Sequence, residues 1–409
     1  MKYIILLGDG MADYPLDELN GKTPLEYART PNMDKIAQEG TLGLIDTVPS
    51  SFPPGSDVAI MSVLGYNPQE YYTGRGPLEA ANMGVKLGAD DVAFRCNLVT
   101  LGGTPQYLME DFTAGHITSQ EAKIIINDIN KELGSESFQF YPGVSYRHLC
   151  VWKDGKHRLE TTPPHDITGK AIEKYLPRGD GEEEINSLME RSQIMLMEHP
   201  VNRRRIAEGK KPASSIWLWG QGRVPKFVKL TDKYGLQGGM ISAVDLLNGI
   251  GIYAGLKVLR VDGATGYTDT NYLGKARMAL DSLKEIDFIF IHVEAPDEMG
   301  HEGNIEGKVK AIEDFDEKIV GAVLNEIHGL APFRLMVLSD HPTPIRLKTH
   351  VSDPSPFAIM SSREGENLKN GSAFNESSAR KSDVIISPGY SLMDKFITNW
   401  SGFIEEKSR

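Results

Sequence analysis

The segment Leu335-Met-Val-Leu-Ser-Asp-His341 ends an apolar run in an acid and an imidazole, and His350 comes soon after. A short continuous apolar run reads as a buried strand. Carboxylate and imidazole side by side at its end suit a divalent cation. On this stretch alone, a surface loop with ordinary polar residues explains the pattern as well. Two other places in the chain end the same way. The run from Tyr3 to Leu7 stops at Gly8-Asp9-Gly10, and the run closing on Phe-Ile-His-Val-Glu294 leads into Ala-Pro-Asp297-Glu-Met-Gly-His301. In open α/β sheets, ligands sit outside the carboxyl ends of the strands. Asp9, Asp297, Asp340, His301, His341 and His350 all lie just past such ends, and together they are enough to hold two divalent ions.

A second stretch adds a nucleophile. Ser50-Ser-Phe-Pro-Pro-Gly-Ser56-Asp-Val-Ala-Ile-Met is a Pro/Gly loop entering a helix, with Ser56 at or near the N-cap. Free N–H groups and the helix dipole favour a phosphate there. A metal or a base beside the Ser56 hydroxyl would make it a nucleophile; a plain capping role is the alternative. Gly21-Lys22-Thr23 is no phosphate loop, because Leu16 stands where that loop needs glycine. Gly249-Ile-Gly251 closes a helix instead of succeeding a strand, so it is no dinucleotide fingerprint.

Secondary-structure texture changes near residue 90. Short apolar runs at 92–100, 138–141 and 145–152 lie among helical patterns at 119–133 and 182–198. A separate α+β domain over 91–239 is expected, inserted into a domain formed by 1–90 and 240–409. Arg95, His116, Arg147, His148, His165, Asp166 and the Arg203-Arg204-Arg205 run lie within it, groups suited to a carboxylate or phosphate. Arg147 stands out because it sits inside the apolar run ending at Trp152. Arg75, in Tyr71-Tyr-Thr-Gly-Arg-Gly-Pro77, reads equally as structural or as substrate-facing. In the second part of the main domain, 241–251 reads as an apolar helix, 256–261 as a strand and 305–327 as one amphipathic helix.

Composition narrows the partners. The 409 residues exceed one ordinary domain, and the formal net charge of −12 argues against a general binder of nucleic acid or anionic membrane. No stretch is long and apolar enough to span a bilayer, and the N-terminal run is too short for a signal peptide. Two cysteines, Cys96 and Cys150, fit a reducing cytoplasm. The sequence leaves the oligomeric state open.

Gly8-Asp9-Gly10, Thr30-Pro-Asn-Met-Asp34, Pro54-Gly-Ser-Asp57, Asp297-xxx-His301, Ser339-Asp-His341 and Thr349-His350 with Asp353-Pro-Ser-Pro-Phe357 together resemble the alkaline phosphatase superfamily. Within it the chain closely resembles the cofactor-independent phosphoglycerate mutases of archaeal type, over nearly its whole length. That resemblance implies an α/β fold, with an alkaline-phosphatase-like, mostly parallel sheet between helices and an inserted α+β domain that closes as a lid. It implies Asp297, His301 and His350 around one ion, and Asp9, Ser56, Asp340 and His341 around the other. The ions would be Mn2+ or Mg2+, with Zn2+ a further option, and Ser56 would be transiently phosphorylated as 3- and 2-phosphoglycerate interconvert. Arg147, with Arg95 or His116, would hold the substrate carboxylate, and His165 and Asp166 would also face substrate. The chain departs from the archaeal pattern at Asp111-Phe-Thr-Ala-Gly-His116, where those mutases carry an arginine-rich run, and its loop Asp262-Gly-Ala-Thr-Gly266 lacks the lysine of bacterial-type mutases. A branch with this pattern has been proposed to act as a homoserine kinase. Transfer to another small hydroxy acid, or to water as in a phosphatase, is therefore the alternative outcome.

Overall fold

The computed structural model describes residues 1–103, 106–330 and 332–408. The chain divides into two compact units, Met1–Tyr72 with Phe227–Arg409, and Thr73–Lys226. The breaks thus lie earlier than 90 and 240. The helix Arg75–Asn82 packs on the strands Val92–Gly102 and Ser215–Gly222, which draws it into the inserted unit. At the other end Phe227 stacks on Tyr66 with centroids 4.2 Å apart, and the Tyr66 hydroxyl donates to Val228 O, so the chain has already rejoined the main unit.

The main unit is built on one eight-stranded sheet among the described residues. In chain order its strands are β1 (Lys2–Gly8), β2 (Thr41–Ile45), β3 (Gly238–Ile241), β4 (Lys257–Val258), β5 (Phe288–Val293), β6 (Phe333–Leu338), β7 (Ser355–Ser361) and β8 (Ile385–Ile386). Across the sheet they run β4-β3-β5-β1-β6-β7-β2-β8. Only β7 is reversed, pairing antiparallel with both neighbours. Strands β5 and β6 are buried along their whole length and β1 nearly so, as central parallel strands covered on both faces must be. Their Ile, Leu, Val and Phe side chains form the main core with the helix Pro31–Glu39 and the helices of 272–327.

Register sets where the central strands stop. Gly8 lies opposite Val293, and Leu7 opposite Leu338. Three adjacent parallel strands therefore end level, and the residues just past them meet at one edge.

Two expected helices differ in detail. Residues 241–251 split into β3 and a helix, Asp245–Tyr253, because Gly238 and Gly239 leave room for Leu256, Phe288 and Ile289 to press against the strand. Residues 305–327 run as Ile305–Phe315, a π-helical turn at Asp316–Gly321, and Ala322–Ile327. Only Lys257–Val258 of the expected 256–261 strand pairs, at the sheet's edge.

The inserted unit is an antiparallel sheet with helices. Val92–Gly102 pairs with Leu108–Asp111, Arg147–Trp152 and Ser215–Gly222, and Phe138–Val144 pairs with Arg147–Trp152. The helices Ser119–Glu132 and Glu182–Met197 pack against it over a core of Phe94, Ile125, Ile126, Met189 and Trp217. No helix among the described residues is long and apolar enough to cross a membrane.

Candidate active site

Past the level ends of β1, β5 and β6, two clusters form. Ligand-type atoms of Asp297, His301 and His350 lie within 4.8 Å of one another, as do those of Asp9, Asp340 and His341. In the first cluster His301 Nε2 is 3.1 Å from Asp297 Oδ2, His350 Nε2 is 3.4 Å from Asp297 Oδ1, and the two Nε2 atoms are 2.8 Å apart. In the second, His341 Nε2 is 3.4 Å from Asp9 Oδ1 and 3.3 Å from Asp340 Oδ2. The His350 ring stands between those of His301 and His341, with centroids 4.6 and 4.3 Å away, so it links the clusters.

Ser56 joins the second cluster. Gly55 takes the N-cap and Ser56 is the first helical residue of Ser56–Val63; its side chain makes no capping bond. The hydroxyl turns to the carboxylates instead, donating to Asp9 Oδ1 at 3.4 Å and lying 3.2 Å from His341 Nε2.

The loop after β1 is shaped by what stands behind it. Gly10 has φ +59°, and a Cβ there would lie 2.5 Å from Asp297 Oδ1 and 2.6 Å from Thr343 Oγ1, so only glycine fits. Its N–H donates to Asp340 Oδ1 at 3.1 Å. Lys308, fully buried, reaches Asp13 Oδ2 at 2.7 Å, Thr343 O at 2.8 Å and Ala12 O at 3.2 Å, tying this loop to the one after β6.

Electrostatics and tautomers fit cations. Burial, then the carboxylates of Asp340, Glu294 and Asp297, hold the Asp9 carboxyl well above its ordinary range. Asp340 Oδ2 is buried without a hydrogen-bond partner. Burial acts in the same direction on Asp297, but hydrogen bonds from His301 and His350 prevail and hold it well below. The Asp297 hydrogen bond, against the cost of burial, raises His301 to about 9. His301 Nδ1 lies 3.0 Å from Lys348 O, which can only accept, so neutral His301 keeps its lone pair on Nε2, towards Asp297. The Thr343 hydroxyl donates to Asp297 Oδ1, so it can only accept from His341 Nδ1 at 3.3 Å, and the His341 lone pair faces Asp9 and Asp340. Surplus buried carboxylate and imidazole lone pairs aimed at it are what a divalent ion requires.

A family profile for 2,3-bisphosphoglycerate-independent phosphoglycerate mutase matches residues 37–202. The Methanosarcina mazei protein named 2,3-bisphosphoglycerate-independent phosphoglycerate mutase is 57% identical over 386 residues, covering 94% of this chain and 96% of its own. Among solved structures, a protein of Pyrococcus horikoshii superposes with a TM-score of 0.81 at 29% identity, covering 98% of this chain and 97% of its own. The cofactor-independent phosphoglycerate mutase of Thermoplasma acidophilum superposes with 0.64 at 25%, covering 97% and 100%. The chain belongs to the 2,3-bisphosphoglycerate-independent phosphoglycerate mutases. Membership makes it an enzyme acting on a small phosphorylated substrate, and the α/β architecture expected from the motifs is the one found.

In this mutase the inserted unit gathers cations around one aromatic. Trp219, on Ser215–Gly222, is fixed by its Nε1–H to Asn97 Oδ1 at 3.0 Å. Arg95 Cζ lies 4.5 Å and Arg75 Cζ 6.0 Å from its ring centroid, and the His165 ring is 5.5 Å away. Burial lowers the Arg95 pKa; Glu79, 3.5 Å from Arg95 Nε, opposes this, while the charges of Arg75 and Arg147 add to it. Arg147 lies beside the Tyr146 ring, and Asp166 Oδ1 is 3.6 Å from His165 Nε2. His116 sits exposed in the turn held by Asp111 and Thr113, its N–H on Thr113 Oγ1. His148 is buried and accepts from Gly143 N–H, and Arg205 is buried against Glu121 and Ala114 O, so both serve the unit's own structure.

Sequence reasoning missed Trp219, Thr343, Lys308, His292 and Glu294. His292 carried a readable signal, being the one polar side chain in the six-residue run of β5. The others become visible only when the strand ends are placed side by side.

Proposed function

We propose that this mutase interconverts 3-phosphoglycerate and 2-phosphoglycerate through a phosphoserine at Ser56, with two divalent cations, Mn2+ or Mg2+. Asp297, His301 and His350 would hold one, and Asp9, Ser56, Asp340 and His341 the other. The ions would neutralise phosphoryl oxygens and favour the alkoxide form of serine. Ser56 Oγ bonds to phosphorus as the bond from phosphorus to the C3 oxygen breaks, and the Ser56 proton, given up towards Asp9 Oδ1, ends on that C3 oxygen as the glycerate hydroxyl. Glycerate then presents its C2 hydroxyl, whose oxygen bonds to phosphorus as the bond to Ser56 Oγ breaks, and the C2 proton returns to Ser56. Backbone N–H groups at the head of Ser56–Val63 face the phosphoryl group. The cation set at Trp219, with Arg147, is the inserted unit's candidate for holding the carboxylate of glycerate. The observation that carries this reading is the Ser56 hydroxyl, first in its helix and uninvolved in capping, 3.4 Å from Asp9 and 3.2 Å from His341.

Incubation with 3-phosphoglycerate labelled in its phosphate tests it. Label is expected on Ser56 and in 2-phosphoglycerate. Unlabelled Ser56 beside labelled 2-phosphoglycerate would sink the phosphoserine route. Label released as inorganic phosphate would mark a phosphatase, and phosphorylation of added homoserine by the labelled protein would mark the alternative acceptor.

A further inference from the structure

A third group of ligand-type atoms, from Asp9, His292 and Glu294, also lies within 4.8 Å. Its geometry alone would admit another ion. His292 is fully buried, with Nε2 2.7 Å from Asp9 Oδ2 and 3.2 Å from Glu294 Oε2. Asp9 thus offers one oxygen to His292 and the other, Oδ1, to Ser56 and His341.

The tautomer separates His292 from the other histidines. Nδ1 of His301 faces a carbonyl, and Nδ1 of His341 faces a hydroxyl whose proton is already given to Asp297. When neutral, each therefore keeps its proton on Nδ1 and a lone pair on Nε2. His292 Nδ1 faces the Ser242 hydroxyl at 3.2 Å, and Ser242 Oγ already accepts the Val244 N–H at 3.0 Å. The hydroxyl can donate to His292 Nδ1, and the ionised carboxylates of Asp9 and Glu294, 2.7 and 3.2 Å from Nε2, can only accept, so the imidazole proton sits on Nε2. A nitrogen that carries a proton is a donor, not a ligand. Positive charge is also already supplied here. Lys275, fully buried, donates from Nζ to His292 O at 3.1 Å; burial lowers its pKa to about 8, against the Glu294 carboxylate.

We propose that His292 is a positioning residue: its Nε2–H, set by Ser242, fixes Asp9 so that Oδ1 faces Ser56 and the ion beside it, and no third ion binds. This rests on the two-ion reading of the centre. Removing a group that orients a metal-ligating side chain typically weakens metal binding or activity by about 10–100-fold.

Mn2+ titration of the metal-free protein by calorimetry, with elemental analysis of the loaded protein, tests it. Wild type is expected to hold two ions. His292→Phe, which keeps the ring but loses the donor, should weaken one of them about 10–100-fold. His292→Gln, whose amide N–H can reach Asp9 from the position of Nε2, should recover most of the affinity. Unchanged binding by His292→Phe would overturn the proposal, and so would three ions in wild type with two in both variants. If His292→Phe fails to fold, Ser242→Ala decides: freeing Nδ1 should weaken the same ion, and wild-type affinity would overturn the proposal. A wild-type protein that binds no Mn2+ would instead overturn the two-ion reading itself.

Discussion

The two groups of functional side chains in this mutase are built on opposite plans. In the main unit, chemistry hangs on backbone topology: Asp9, Asp297, Asp340 and His341 lie just past three neighbouring parallel strands whose ends are level. Partners fix the ligand-type side chains there, from Thr343 on Asp297 to Lys348 O on His301. In the inserted unit, Arg75, Arg95 and His165 come from a helix, a strand and a short 3-10 turn, and they meet on the face of Trp219. Cation–π contact of this kind is worth about 0.5–2 kcal/mol and tolerates adjustment. Under the proposed mutase reading, the strand-end centre should govern turnover and the Trp219 set affinity.

The centre should break hardest. Ser56→Ala is expected to lower kcat by about 10⁶-fold, the scale of deleting a nucleophile, while Mn2+ still binds through the remaining ligands. Asp340→Asn should lose both turnover and ion, because it removes the charge of a buried carboxylate whose Oδ2 accepts no hydrogen bond from the protein. Chelation of the wild type should abolish activity, and added Mn2+ should restore it. Normal turnover by Ser56→Ala would contradict the whole assignment.

The Trp219 set should break more gently. Arg95→Met keeps an apolar stem against the indole but removes the guanidinium. A charged hydrogen bond is worth about 1.5–3 kcal/mol, so KM is expected to rise about 10- to 100-fold with kcat nearly unchanged. A fall in kcat as large as that of Asp340→Asn would erase the contrast between the two regions.

How much the sequence discloses divides along the same line. A strand that ends in Asp-His announces both its burial and its chemistry, so Asp9, Asp297, Asp340, His301, His341 and His350 were legible as ligand types. Parallel strands then bring them to one edge, a consequence the order along the chain hides, since β1 lies between β5 and β6, which come far later in the chain. Arg95 and His165 were nameable as cations, but the indole on which they converge was not. Trp219 lies in a run of Ser-Ile-Trp-Leu-Trp whose pattern marks only a buried strand, and its neighbours are set by antiparallel pairing across more than a hundred residues, Arg95 opposite Trp219. His292 showed as the one polar side chain in its apolar strand, but its role is set only when Asp9 is placed beside it.

The smallest expected effect concerns what holds the centre in place. Glu376 accepts from Asp13 N–H at 2.9 Å and from the Thr23 hydroxyl at 2.7 Å, and Asp13 in turn receives Lys308. Burial pushes the Glu376 carboxyl up to about 7 from an ordinary 4.5, against these hydrogen bonds. The folded chain therefore holds this proton more tightly than the unfolded one. The stabilisation is complete below about pH 4.5 and is lost as pH rises through about 7, and its full size is on the order of 3 kcal/mol. Glu376→Gln stays neutral throughout, so its Tm should fall less than that of wild type between pH 5 and pH 8. Because Glu376 acts only through Asp13 and the loop after β1, kcat at pH 6 should change far less than in Asp340→Asn. Parallel Tm profiles for wild type and Glu376→Gln would show that this carboxyl does not couple the brace to pH.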